Sequence, residues 1–342
     1  MSDNNGKKAD IISVAKAAKV SASTVSRYFN HPELLKTSTR RRIDSAVRKQ
    51  GYIRNRAAQT IHGIRSGTIG VLVPTIDHAI FAEVVQAFSD AVAEHGFTIL
   101  LASHGYNPKQ EYAVLRKFLE HRVDGVVLTG LEHDEAVFQL IESQGIPAVL
   151  IWNHSDSARL PCIGADNRRA GQLIAEHILD LGHRDIACMF PPMVGNDRAQ
   201  DRRMGVMDTL AKAGAQVRAE WQLETIYSIS ASKRDAIKVL SNEMRPSAII
   251  CGNDILATGA LYGAQACVLG VPQDVSIVGI GDFKGSSEIE PALSTVRLPA
   301  VRIGQEAGRA LAHAITQKES SIANLHCLPE LVPRASSAIA KR

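Results

Sequence analysis

Two textures of hydrophobic spacing divide this chain of 342 residues. Up to about residue 66 the apolar residues are sparse and recur three or four apart, the spacing of amphipathic helices. Asp10 is placed to cap a first helix carrying Ile12, Ala15 and Ala18 on one side, followed by Val20. Ser21 is placed to cap a second short helix with Val25 and Phe29 turned inward. After HPELLK, Thr37 or Ser38 is placed to cap a third, with Ile43, Ala46 and Val47 on its apolar face and Gly51 as its stop. The first pair has the spacing of a helix-turn-helix, in which the second helix enters the DNA major groove.

From Thr68 onward the pattern changes to short continuous apolar runs. TIGVLVP, FTILLA, DGVVLTG and IPAVLI read as buried strands, separated by amphipathic stretches such as Ala79–His95 and Tyr112–Glu120. A second series follows with RDIACMF, SAIICGND and VSIVGIGDF. Strands alternating with helices predict parallel sheets with crossover helices, here as two α/β lobes over about 67–163 and 164–292. Ligands of such sheets bind beyond the carboxyl ends of the strands. Those ends carry Asp77 and Phe81, Trp152 and Asn153, Asn253 and Asp254, and Asp282, with His78 beside the first pair. The plainer alternatives are that Asp254 caps the next helix, that Trp152 is core, and that Phe81 packs an interface.

Charge sharpens the division. The net charge is +4, yet residues 1–66 hold 14 basic against 4 acidic side chains, a net of +10, and the remainder holds 25 against 31, a net of −6. A basic head on a mildly acidic body is the footprint expected of a nucleic-acid-binding module attached to another domain. The second helix, within VSASTVSRYFN, fits that role. Its outer face is small and rich in hydroxyls, so backbone and groove can approach, and its single Arg27 can make a bidentate contact to guanine. The five cysteines lie far apart without metal-ligand spacing, so no metal or cofactor is expected. The start, MSDNNGKKAD, lacks the apolar core of a secretory signal, and no apolar run approaches the ~18 residues of a membrane span. The expectation is a soluble, cytoplasmic protein.

DIISVAKAAKVSASTVSRYFN, followed by TRRRIDSAVRKQGYIRNRAAQTI, resembles the DNA-binding head and hinge of the lactose-repressor (LacI-type) transcription regulators. The resemblance continues across nearly the whole chain. It implies a head over 1–54, a hinge helix and linker over 55–66, and a core like the periplasmic sugar-binding proteins. Three crossovers would join the lobes, with about 296–323 returning to the first, a last strand near 326–333 joining the second, and 334–342 as a tail. Ala22, Ser23 and Arg27 would read bases in double-stranded operator DNA, and Thr24 and Ser26 would lie near phosphates. Arg54 and Arg56 would contact phosphate. The hinge, Asn55 to His62 and including Ala58, would fold on DNA and wedge Ile61 into the minor groove. Lys19 stands where the family usually has Gly in the turn, Arg54 where it has Pro, and Ile61 where it has Leu.

In the core, Arg202 of NDRAQDRRMGV matches the arginine of the family's effector-binding R-x-x-G motif. Its plainer alternative is an ion pair with Asp201 or Asp208. Many members carry Asp at the position of Gly281, where it grips sugar hydroxyls. Losing that anion while keeping Arg202, with His78 and Lys284 near in sequence, points to an acidic ligand. GIGDF and IFAEV…HGF…GY resemble the gluconate-repressor branch. The expected effector is therefore a sugar acid, with Arg202 on its carboxylate, Trp152 and Phe81 on its carbon chain, and Asn253 and Asp254 on hydroxyls. A neutral sugar, a nucleoside or a phosphorylated metabolite are the alternatives.

Catalysis finds no support. GIGDFKG lacks the third Gly of a dinucleotide fingerprint, and there is no phosphate-binding loop, H-E-x-x-H or G-x-S-x-G. A periplasmic solute-binding protein would suit the body but not the basic head. The segment PRASSAIAKR has no apolar heptads, so a two-fold dimer is expected rather than a coiled-coil tetramer.

Overall fold

A computed structural model describes residues 9–54, 65–215, 217–317 and 321–341. The chain divides into two compact units, Met1–Ser66 and Gly67–Arg342.

The first unit contains helices α1 (Ile11–Ala18), α2 (Ala22–Asn30) and α3 (Thr37–Gln50). Asp10 caps α1 by accepting from the Ser13 amide at 2.7 Å, and Ser13 answers the Asp10 amide, a reciprocal capping box. Ser21 caps α2 through the Thr24 amide. Val14, Ala15, Ala18, Val25, Ile43 and Ala46 form the core. Ile12 is 66% exposed and Val14 is fully buried, so the inward stripe of α1 differs from the expected one. A 3.6-residue period carries 11, 14/15 and 18 along one face, whereas strict steps of three from Ile12 drift around the helix. Thr37 and Ser38 are not caps either. Lys36 takes that position without a side-chain bond, and α3 begins at Thr37. Lys19 adopts the left-handed conformation of the turn (φ 54°, ψ 50°), which costs a non-glycine residue ~1 kcal/mol.

The second unit is built from two six-stranded sheets. In chain order its strands are β1 (Thr68–Val73), β2 (Thr98–Ser103), β3 (Gly125–Thr129), β4 (Ala148–Asn153), β5 (Cys162–Ala165), β6 (Ile186–Phe190), β7 (Gln222–Glu224), β8 (Ala248–Cys251), β9 (Ser276–Gly281), β10 (Ser294–Arg297), β11 (Leu325–Cys327) and β12 (Glu330–Val332). The sheets run β11-β5-β4-β3-β1-β2 and β12-β10-β9-β8-β6-β7. All neighbours pair in parallel except β10 and β12. Helices α4 (Ala79–Ala93), α5 (Pro108–Glu120), α6 (Glu135–Gln144) and α11 (Ala300–Gln317) flank the first sheet. Helices α7 (Asn167–Asp180), α8 (Asp197–Lys212), α9 (Ile229–Leu240) and α10 (Asp254–Ala266) flank the second. β1, β3, β4, β8 and β9 read as continuous apolar runs because helices cover both faces.

The lobe boundaries correct the expected ones. β5 extends the first lobe to Ala165, and β10 stays in the second. The strand expected near 326–333 is two strands in different sheets: β11 pairs with β5, and β12 pairs with β10. The chain therefore crosses between the lobes after β5, after β10 and after β11. Residues 334–341 are not a loose tail. Ser336 is fully buried and donates to the Ile277 carbonyl at 2.6 Å, and the Ala340 amide donates to Leu181 at 2.8 Å. No helix among the described residues is long and apolar enough to cross a membrane.

One close approach positions the site. A Cβ on Gly205 of α8 would stand 2.1 Å from the Arg168 carbonyl, and one on Gly171 of α7 would stand 2.1 Å from the Arg202 carbonyl. Only glycine lets these two backbones touch, and their contact fixes the turn of α8 that bears Arg202.

Candidate functional site

On α2 the hydroxyls form a linked set. Ser21 Oγ lies 2.8 Å from both Ser23 Oγ and Thr24 Oγ1, and Ser26 Oγ accepts from Asn30 at 3.4 Å. Ser23 and Arg27 are exposed, while Ala22, Thr24 and Ser26 are half-buried. Arg27 makes no hydrogen bond or ion pair among the described residues, so its fork is available. Arg54, expected to seek phosphate, lies instead against the end of α2. Its guanidinium sits 5.6 Å from the Phe29 ring centre and donates to the Phe29 carbonyl and the Asn30 side chain. A cation there complements the negative end of the helix dipole. Asn55, Arg56, Ala58 and Ile61, and with them the expected hinge helix, lie outside the described residues.

Between the lobes of the core is a cleft. His78, Phe81, Trp152, Arg202 and Asn253, five of the residues proposed from the sequence, line it. Trp152, the last residue but one of β4, lies in the left-handed region (φ 80°) and is 3% exposed, with its indole N–H unpartnered among the described residues. An L side chain held there stores strain that its surroundings must sustain. Phe81 meets the indole edge-on at 5.7 Å. His78 stacks on Phe81 and meets Tyr227 of the other lobe at 4.9 Å. Burial pushes the His78 imidazole below its ordinary value against the pull of Asp77, which favours the neutral form. Asn253 caps α10 by accepting from the Leu256 amide at 2.9 Å, which leaves its NH2 for the cleft.

Arg202 is 8% exposed and donates from Nε to the Arg198 carbonyl at 3.0 Å, and it makes no ion pair among the described residues. Both acids offered as partners are engaged elsewhere. Asp208 takes Arg168 at 2.6 Å, and Asp201 accepts from Asn153 at 2.7 Å.

Four expected residues do not line the cleft. Asp254 is buried and accepts from Thr295 Oγ1, the Phe283 amide and Ser286 Oγ at 2.7–2.9 Å. With three donors already on its carboxylate, it fixes the β9 and β10 loops and has no place for a ligand hydroxyl. Asp282 is held by Arg297 and Arg334, each at 2.7 Å. Asn153 is buried, with its amide on Asp201 and Asp197. Asp77 is exposed at the surface.

Sequence reasoning missed Tyr106, Asn167, Asn196, Arg198, Tyr227, Phe283, Ile80 and Leu298. Asn167, Tyr106 and Tyr227 follow the ends of β5, β2 and β7, where the strand-end rule applies, but β5 is interrupted by Gly164 and β7 has three residues, so neither reads as an apolar run in the sequence. Asn196 donates to the Tyr227 hydroxyl at 3.1 Å. Arg198 is neutralised by Asp197 at 2.5 Å. Burial raises the Tyr106 phenol well above its ordinary value, so it stays protonated. Phe283 explains Gly281. With φ at 139°, a Cβ on Gly281 would lie 2.0 Å from the Phe283 ring, so the ring fills the space a side chain there would take.

Among the described residues no carboxylate lines the cleft. The Arg202 guanidinium, the Trp152 indole N–H and the Asn253 amide are donors, set among aromatic walls. Such a lining accepts an acceptor-rich or anionic small molecule with a flat or reduced carbon face.

The family model described as periplasmic binding proteins and sugar binding domain of LacI family matches residues 66–332. That of bacterial regulatory proteins, lacI family, matches residues 10–55. The chain is 30% identical to the HTH-type transcriptional repressor PurR of Erwinia tasmaniensis over 96% of this chain and 97% of the relative. Among solved structures, the transcription regulator GntR from Chromobacterium violaceum superposes with a TM-score of 0.74 at 29% identity, covering 79% of this chain and 99% of that one. The lac repressor dimer bound to operator and the anti-inducer ONPF superposes with a TM-score of 0.83 at 25% identity, covering 97% and 100%.

Proposed function

The chain belongs to the LacI family of bacterial regulators, as a DNA-binding transcriptional repressor with a small-molecule effector domain, and we propose that its effector is a sugar acid of the gluconate type. The observation that carries this is Arg202, a buried guanidinium on the cleft wall with no counter-charge among the described residues. A carboxylate ligand would supply that counter-charge through two parallel bonds to the fork, which a lysine could not reproduce. Trp152 and Phe81 would cover the carbon chain, while the indole N–H and Asn253 donate to hydroxyl oxygens. The GntR neighbour is in keeping with this reading.

The regulator works as a homodimer, each head presenting Ala22, Ser23 and Arg27 to one half-site, with Thr24 and Ser26 near phosphates. Arg56 and the hinge residues Asn55, Ala58 and Ile61 extend that contact towards the minor groove. The effector shifts the lobe arrangement, and the coupling to operator affinity is ~1–3 kcal/mol.

A second reading is a purine-type ligand. It is favoured by the PurR relatives and by the flat faces of Phe81, Tyr227 and Phe283 around the cleft. Calorimetry with gluconate, matched neutral sugars and purine bases separates the two. Gluconate binding that Arg202→Leu abolishes supports the sugar acid. Binding of bases alone replaces it with the second reading, and binding of neutral sugars alone removes both.

A further inference from the structure

One chain of polar contacts crosses the lobe boundary and ends at the cleft-lining Arg198. The Leu131 amide, just beyond β3 in the first lobe, donates to Asp197 Oδ2 on the first turn of α8 at 2.7 Å. The Gly130 carbonyl belongs to the same peptide and lies 3.2 Å from His133 Nε2. His133 Nδ1 in turn lies 2.9 Å from Glu111 Oε1 on α5. In the second lobe the other oxygen of Asp197 holds Arg198, which reaches back to the Thr129 carbonyl at 3.2 Å.

The proton count of this chain is constrained. Both ring nitrogens of His133 face acceptors, a carbonyl and a carboxylate, but a neutral imidazole has only one N–H. The two contacts are both hydrogen bonds only if the pair carries one proton more than a neutral histidine beside an ionised glutamate. The side chains of His133 and Glu111 are 1% and 4% exposed, so water cannot take either bond. Their neighbours are His104, 4.0 Å from the same Glu111 oxygen, and the Phe138 ring, edge-on at 5.7 Å.

In a trans peptide the C=O and N–H point in opposite directions. Holding the Gly130 carbonyl therefore aims the Leu131 N–H at the other lobe. Gly130 has φ 98°, and a Cβ there would stand 2.2 Å from Arg198 Nη1, so the two lobes meet at a position only glycine can fill.

We propose that Glu111 and His133, neither of which lines the cleft, are positioning residues for lobe closure: they hold the Gly130–Leu131 peptide with its N–H turned onto Asp197, and so set how readily the effector cleft opens. The inference rests on the two-lobed core and not on the identity of the ligand.

Hydrogen–deuterium exchange of the full, ligand-free chain tests it at the Leu131 amide, with the β3 amides Val126–Leu128 as the control for folding. His133→Phe keeps the ring volume against Phe138 but removes the donor, and should speed Leu131 exchange about tenfold with β3 unchanged. Glu111→Leu should do the same. Glu111→Gln should retain protection, because its amide can donate to Nδ1 while Nε2–H stays on the carbonyl. In an Asp197→Ala background, where the acceptor is gone, His133→Phe should add nothing. Unchanged Leu131 exchange in His133→Phe, or an undiminished effect in the Asp197→Ala background, overturns the proposal. If His133→Phe loses β3 protection, the glutamate pair decides: equal Leu131 exchange in Glu111→Leu and Glu111→Gln overturns it.

Discussion

Replacing Trp152 by Phe separates a binding role from a packing role, because the two predict different signs. In the ligand-free protein the indole N–H is buried without a partner among the described residues. An orphaned buried donor costs ~1–3 kcal/mol, which Phe removes. Phe also removes the five-membered ring from a side chain that is 3% exposed. Deleting a whole buried Trp side chain costs ~3–5 kcal/mol, and Phe keeps most of it, so roughly 1–2 kcal/mol of packing is lost. The two changes offset each other, and ligand-free stability should move by less than ~1 kcal/mol. Affinity should move in one direction only. Losing a hydrogen bond to the ligand costs ~0.5–1.5 kcal/mol, a weakening of about two- to twelvefold. Urea unfolding of the ligand-free protein and calorimetry with gluconate measure the two quantities on the same variant. A stability loss above ~3 kcal/mol with unchanged affinity would make Trp152 ordinary core and refute the reasoning.

Three further outcomes are expected. Lys19→Gly should stabilise the head by no more than ~0.6 kcal/mol, since the relief of a left-handed side chain only slightly exceeds the added freedom of the unfolded chain, and proteolysis of the head at Lys16 should slow accordingly. Arg27→Ala should cost ~1–3 kcal/mol on operator and relax preference at one base pair, read by competition between operator and random duplex; equal losses on both would remove its base-reading role. Burial depresses the His183 imidazole, whose Nε2–H is on the Ala338 carbonyl at 3.0 Å. The unfolded chain then binds more protons than the folded one below the ordinary histidine value of about 6.5, so this contribution is complete above it and is lost as pH falls through the window beneath it. Stability measured from about pH 7.5 to about pH 5.5 should therefore fall less steeply in His183→Gln than in the parent, and parallel slopes would contradict this.

Much of the architecture was legible because burial on both faces writes central parallel strands as apolar runs, as in Val126–Leu128 and Ile249–Cys251. The strands β7, β11 and β12 carry three residues each, and β5 is interrupted by Gly164, so they leave no such trace. That is why the last lobe crossing was misplaced. At the cleft, residue type and strand-end position pointed to Phe81, Trp152 and Asn253, and the resemblance to the family's R-x-x-G motif pointed to Arg202. They could not distinguish a carboxylate facing the ligand from one consumed by neighbours. Asp254 and Asp282 stand at strand ends like the others, but Thr295, Ser286, Arg297 and Arg334 reach them from distant parts of the chain. Gly281 was read as a missing anion; the structure adds that the Phe283 ring occupies the vacated space.

The central claim is that an acid bound at Arg202 is coupled to operator affinity, and reciprocal titration tests it most directly. Fluorescence anisotropy gives the affinity for an operator selected from random duplexes, with and without saturating gluconate, and calorimetry gives gluconate affinity with and without that operator. The account predicts that gluconate weakens operator binding about 5- to 150-fold and that operator weakens gluconate binding by the same factor. Arg202→Leu should bind operator as the parent does and show no shift. Gluconate that binds without moving operator affinity, or an Arg202→Leu variant that responds as the parent does, would contradict it.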